Sequence, residues 1–193
     1  MKYSIIIGTL ISSFQSHLYA AQTYSIDPLH SQVLWHVSHF DFSNPSGKWM
    51  AEGTLVLDNE NLQNSKVNVT IKVADIITGL NDLDQHLKGK LFFDIKNYPT
   101  ATFVSDKIDL LDKKVKSVHG MLTVHGVTKP ITLDVKLNKI GLNPVNDRET
   151  VGFSANTMLK RSDFGITTML PGIGDDVKIQ IEIEAYKPNQ NGK

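Results

Sequence analysis

The chain has 193 residues, with 20 basic and 20 acidic side chains and no cysteine. That length suits one domain. The balanced charge excludes the basic stripe that draws nucleic acid, and the lack of cysteine excludes a disulfide framework and a thiol nucleophile.

The first twenty residues differ from the rest. Lys2 supplies one positive charge, Ile5–Ile11 an apolar core, and Leu18-Tyr19-Ala20 a small residue at the end. This pattern predicts a secretory signal peptide over residues 1–20, cut after Ala20 or alternatively after Ala21, and hence a periplasmic protein. The mature chain keeps 19 basic and 20 acidic residues, a net of −1. No later segment holds the roughly 18 apolar residues of a membrane-spanning helix. A domain over residues 22–188 and a frayed tail over 189–193 are expected.

Period-two alternation dominates that domain. Lys66–Val73 sets Val67, Val69, Ile71 and Val73 on one face; Ile131–Asn138 and Val177–Ala185 repeat the pattern. Successive strand side chains point to opposite faces, so each segment is half buried, as in antiparallel sheets. Weaker strands are expected at Tyr24–Asp27, Gln32–Phe40, Lys48–Asp58, Ala101–Leu110, Val115–His125 and Val151–Leu159, with turns at Pro28, Asn44–Gly47, Asp112 and Gly126. Eight or nine such strands predict an all-β fold, a closed antiparallel barrel or a sandwich.

One helix interrupts them. Leu80, Leu83, Leu87 and Leu91 recur at helical spacing, with Asn81 as the expected N-cap and Gly89 as the stop. A helix of about ten residues does not stand alone in water, so its leucine stripe is expected to cover one end or flank of the barrel. The aromatic pair that follows, Phe92 and Phe93, either lines a pocket there or plugs the core.

Catalytic signatures are missing from the sequence. Gly172-Ile173-Gly174 precedes Asp175-Asp176, which would repel a phosphate. His36 and His39 fall on opposite faces of one strand, and no histidine pair has the spacing of a zinc motif. No metal site, catalytic residue or resident cofactor is expected. Trp35, Trp49, Phe103, Met121, Phe153 and Met158 are read as inward-facing, either plain core or pocket lining, with methionine suited to a flexible guest. Phe42 is read as a rim residue. Arg161 either pairs with Asp163 to tie a turn or anchors a polar head group. With Phe92 and Phe93, these make up the candidate ligand-binding set.

The motifs "YSIDPLHSQVLWHVSHF", "DQHLKGKLFFDIKNYPTATF", "GMLTVHGVTKPITLDV", "LKRSDFGI" and "DDVKIQIEIEA" run in this order from Tyr24 to about Lys187. Together they resemble the YceI-like family of secreted lipid-binding proteins. The resemblance implies a lipocalin-like barrel of about eight strands with one short covering helix. It also implies a polyisoprenoid, isoprenoid quinone or similar amphipathic ligand and no assigned reaction. Leu83 stands where the family's R-D-x-H-L pattern has arginine, so a charged head-group contact at that position is not implied. Met169 and Leu170 make the neighbouring loop more apolar. Two other readings stand beside a carrier: a lipocalin-like isomerase or hydrolase using His39, His86 or Arg161, and a plugged barrel acting through a protein interface. A homodimer is a further alternative.

Overall fold

The computed structural model describes residues 21–188, so the expected signal peptide and frayed tail lie outside the described residues. Ten strands alternate in direction along one sheet: β1 (Gln22–Ile26), β2 (Gln32–His39), β3 (Ser46–Met50), β4 (Glu52–Leu57), β5 (Lys66–Lys72), β6 (Thr100–Leu111), β7 (Lys114–Val124), β8 (Val127–Leu142), β9 (Glu149–Lys160) and β10 (Ile173–Tyr186). The order β1-β4-β5-β6-β7-β8-β9-β10 closes on itself where β1 pairs with β10. β2 and β3 are two extra strands that prolong this wall. β2 continues along β10 where β1 leaves off, and β3 pairs with β2. The result is the expected antiparallel barrel of eight strands, here with both early strands broken in two.

The expected strand Lys48–Asp58 is one of these breaks. It divides at Ala51, which is fully buried and donates its N–H to the Ser31 carbonyl, between β3 and β4. Gly53 follows at a φ of 151°, and a Cβ there would lie 2.0 Å from the Asn68 carbonyl oxygen of β5. Glycine alone lets β4 turn back onto β5 so closely.

β8 is twice the length expected. It starts at Val127, and Pro130 lies within it, opposite Met121. The β7–β8 hairpin turns through His125 and Gly126, both at positive φ, as two-residue hairpins require.

α1 spans Asn81–Lys88, the one α-helix among the described residues. Asn81 is its first residue rather than its N-cap; Leu80 occupies that position with no side-chain cap. Asp84 binds the preceding turn instead, accepting from the Thr78 N–H and hydroxyl at 2.9 and 2.6 Å. The leucine stripe is narrower than the spacing predicts. Leu87 is buried and Leu83 packs beside it, whereas Leu80 and Leu91 are 64% and 65% exposed. Both outer leucines lie beyond the helix ends, where 3.6-residue periodicity no longer governs direction.

The two ends of the barrel differ. One is closed by Tyr24, Leu55, Leu57, Val151 and Ala185, packed together. The other carries α1 and the loops β2–β3 and β9–β10, over Trp35, Trp49, Leu87, Phe92 and Ile166. The Gly53→Ala variant is expected to lose ~3 kcal/mol or more of unfolding free energy, because the added Cβ meets fixed backbone. Urea denaturation followed by circular dichroism measures this; an unchanged midpoint would show that β4 and β5 can separate.

Candidate ligand-binding cavity

Inside the barrel lies a cavity of about 650 Å³. The size falls within the ~300–1,000 Å³ typical of small-molecule sites. Alternation explains its wall. On β9 the inward row is Phe153, Ala155, Thr157 and Leu159; on β10 it is Val177, Ile179, Ile181 and Ile183. These mostly aliphatic rows stand side by side on neighbouring strands and leave the interior open, which is the behaviour of a wide eight-stranded barrel.

Rings from the helix end project into this space. Trp49 packs edge-on to Phe93 at 5.2 Å between centroids, and Trp35 lies 6.4 Å from Trp49. The Trp49 indole donates to the Val73 carbonyl at 3.1 Å, which fixes its orientation. Trp35 lies across Gly47, its cross-strand partner; any Cβ there would come within 2.5 Å of the indole. Gly120 serves Phe103 in the same way, with a Cβ position 2.6 Å from the ring. Small residues on one strand thus make room for flat rings on the next.

Of the residues expected in the site, Trp35, Trp49, Phe92, Phe93, Phe103, Phe153 and Arg161 line the cavity. Phe92 and Phe93, adjacent in sequence, both reach it because the chain there turns rather than running as a strand. Three of the expected residues do not line it. Met121 and Met158 point outward, 39% and 59% exposed. Leu122, and Thr157 with Leu159, hold the inward positions beside them. Phe153 and Met158 are five residues apart and so fall on opposite faces of one unbroken strand. Phe42 is 91% exposed in the β2–β3 loop; His39 and Ser43 on either side of it form the cavity edge.

The β9–β10 loop supplies lining residues outside the expected binding set, although Met169 already marks this loop as apolar in the sequence. Met169 reaches the cavity while half exposed. Ile166 and Phe164 are buried below it. Their signal was the apolar content of the loop after "RSDFG", which alternation does not flag.

Polar groups are sparse on the wall. His39 packs edge-on to Phe40 at 4.8 Å and His86 against Phe92 at 5.0 Å. Arg161 is 9% exposed, and the expected pair with Asp163 does not form. Its guanidinium donates instead to three backbone carbonyls: Nε to Gly174 at 2.8 Å, Nη1 to Ile166 at 3.0 Å and Nη2 to Ile173 at 2.7 Å. Burial pushes this group below the usual arginine range. Asp175 accepts from the Ser162 N–H and hydroxyl, and these bonds hold its carboxyl below the usual carboxylate range. No hydrogen bond or ion pair joins His39, His86 and Arg161 to one another among the described residues. No group of three or more histidine, cysteine or acidic side chains placed to hold a metal occurs among them either.

The YceI-like domain matches residues 24–185 of this chain. A YceI protein of Salmonella newport is 34% identical over 195 residues, spanning 97% of this chain and 99% of its own. Among solved structures, BcnA of Burkholderia cenocepacia superposes with a TM-score of 0.73 at 25% identity, over 82% of this chain and 98% of its own. A polyisoprenoid binding domain from Saccharophagus degradans shares the fold, with a TM-score of 0.65 at 15% identity over 86% of this chain and 98% of its own. With the domain matched across almost all of the barrel and a full-length relative above 30% identity, this chain belongs to the YceI-like family.

Proposed function

We propose that this protein binds and carries a long apolar or amphipathic molecule, a polyisoprenoid, an isoprenoid quinone or a similar lipid, without altering it chemically. The observation that carries this reading is the cavity: about 650 Å³ inside a closed barrel, with a wall almost wholly of aliphatic and aromatic side chains. The family and the shared fold of a polyisoprenoid binding domain support the same class of ligand. The energetics permit it. At roughly 25 cal/mol per Å², a chain burying about 400 Å² gains on the order of 10 kcal/mol before the costs of association.

The place of action is proposed with it. Lys2, the apolar run Ile5–Ile11 and Leu18-Tyr19-Ala20 support export through a leader cut after Ala20, and so carriage within the periplasm. There the ligand would pass through water shielded by the barrel.

Entry requires an opening in a closed wall. The segment from α1 to Phe93 is the mobile element in this proposal, since a helix of eight residues is held by its packing rather than by its own propensity. Hydrogen exchange over residues 80–93 is expected to slow when lipid binds. Equal protection with and without lipid would place the entrance elsewhere.

Purification from the native host followed by lipid mass spectrometry is expected to find an apolar ligand in the barrel. An empty protein that also takes up no offered prenyl lipid or quinone would overturn the proposal. Phe92→Ala and Phe93→Ala are each expected to weaken ligand binding at least fivefold. Their loss of stability should fall below the ~3–5 kcal/mol that truncating a phenylalanine costs in a sealed core. Met121→Ser and Met158→Ser, on the outer face, should bind ligand within twofold of the parent.

A further inference from the structure

We infer that the α1 end of the barrel docks on the surface of a lipid bilayer, with a ring of exposed apolar side chains entering the head-group layer around the cavity mouth. This rests on the binding reading above and adds the place where the guest is exchanged. Three segments meet at that end: the β2–β3 loop, the stretch from Ile77 to Leu91 that carries α1, and the β9–β10 loop. They are tied together. The Phe40 N–H donates to the Gly172 carbonyl at 2.6 Å, and the Thr168 hydroxyl donates to the Leu91 carbonyl. Ile77 exchanges backbone bonds with Lys48 of β3, each at 2.9 Å. Around this circuit Phe42 is 91% exposed, Leu91 65%, Leu80 64%, Met169 51%, and Phe40 and Ile77 45% each.

Single apolar residues scattered over a surface are ordinary, but six grouped at one opening are not. Two of them stand in costly positions. Phe40 and Met169 have φ of 51° and 60°, in the left-handed region where glycine or asparagine is usual. The chain holds large apolar side chains half out of the protein there, where a smaller residue would sit with less strain.

The charge pattern and the cavity name the occupant. The β9–β10 loop from Gly165 to Gly172 has no charged side chain, and the β2–β3 loop has Asp41 alone. Residues 81–98 set Lys88, Lys90 and Lys96 against Asp82, Asp84 and Asp94. A face so close to neutral has little field with which to steer a charged partner. Insertion of apolar side chains at the boundary of head groups and acyl chains needs none. The ring is also continuous with the cavity. Met169 belongs to both, and His39 and Ser43 on the cavity edge flank the Phe40–Phe42 turn. A protein seated there would shut the mouth, whereas a bilayer covers the ring and is itself source and sink of an apolar guest. Leu142 and Val145, also exposed, stand at the β8–β9 turn beside the end packed around Tyr24 and do not line the cavity.

The test is flotation of the protein, purified from its native host, with phosphatidylcholine vesicles. Parent and variants are compared in the same form, so any contribution of residues 1–20 is common to all. The parent is expected to float with the vesicles, to the same extent within twofold at low and high salt and with or without added phosphatidylglycerol. F42S and L91S should each weaken partitioning at least threefold and the double variant at least tenfold, whereas V145S should match the parent within twofold. All three side chains are exposed and none lines the cavity. Farnesol binding, followed by the fluorescence of Trp35 and Trp49, should therefore stay within twofold of the parent in every variant. A parent that leaves the vesicles unbound would overturn the inference, as would a double variant that floats like the parent or a V145S that loses as much as the double variant. A tenfold gain with phosphatidylglycerol that salt abolishes would overturn it in favour of charge-driven adsorption. A parent that is dimeric by sedimentation equilibrium, and monomeric as F42S/L91S, would overturn it by assigning the ring to a second copy. Vesicles bound as expected by a parent that takes up no farnesol would support the docking surface and count against the carrier reading.

Discussion

The structure depends on β10. Its 14 residues pair with β9 along one edge and with both β2 and β1 along the other. That shared ladder turns an eight-stranded meander into a closed wall, with β3 alone paired to a single strand, and closure is what creates an inside. The pairing of Ile26 with Ala185 and of Val33 with Ile181 also sets the register in which the inward rows face one another. A slip by one residue would put Ile179, Ile181 and Ile183 in water and their charged neighbours in the cavity.

Closure leaves the interior underfilled. The inward rows of β9 and β10 are mostly aliphatic, and four rings of the wall, Trp35, Trp49, Phe92 and Phe93, are grouped near the helix end. Trp35 lies flat over Gly47, and Trp49 is anchored through its indole to Val73. The far end is sealed by close packing around Tyr24 and Val151, both fully buried. The cavity therefore has one tightly packed end and one covered by a short helix and two loops. Such an arrangement separates the part of the molecule that must be rigid from the part that can yield.

Polar chemistry is concentrated where the regular strands stop. Arg161, His39 and His86 sit at or beyond strand ends, and the carbonyls that hold Arg161 come from Ile166 in the loop between β9 and β10 and from Ile173 and Gly174 at the start of β10. Regular strands expend their carbonyls on neighbouring strands, but the β10–β2 ladder is irregular between Ile173 and Val177, and acceptors for a buried cation come from there and from the loop.

The sequence by itself determined the alternation of β5, β8 and β10, the antiparallel barrel, the existence of one helix near Leu83 and Leu87, and the inward parity of Trp35, Trp49 and Phe153. Each follows from a local period of two or 3.6, which a single segment carries whole. The break at Ala51, the outward turn of Met121 and Met158, the exposure of Leu80 and Leu91, and the carbonyl cage of Arg161 were decided by tertiary structure. Hydrophobicity ranked the methionines as interior, but a strand has only one inward face, and Leu122, Thr157 and Leu159 already held it. The Arg161 cage joins residues 161, 166, 173 and 174 through backbone atoms that every residue shares, so no side-chain pattern could announce it. Whether the barrel is filled or hollow was likewise beyond any single segment, because an empty volume is a property of rows that meet only when the ring of strands has closed.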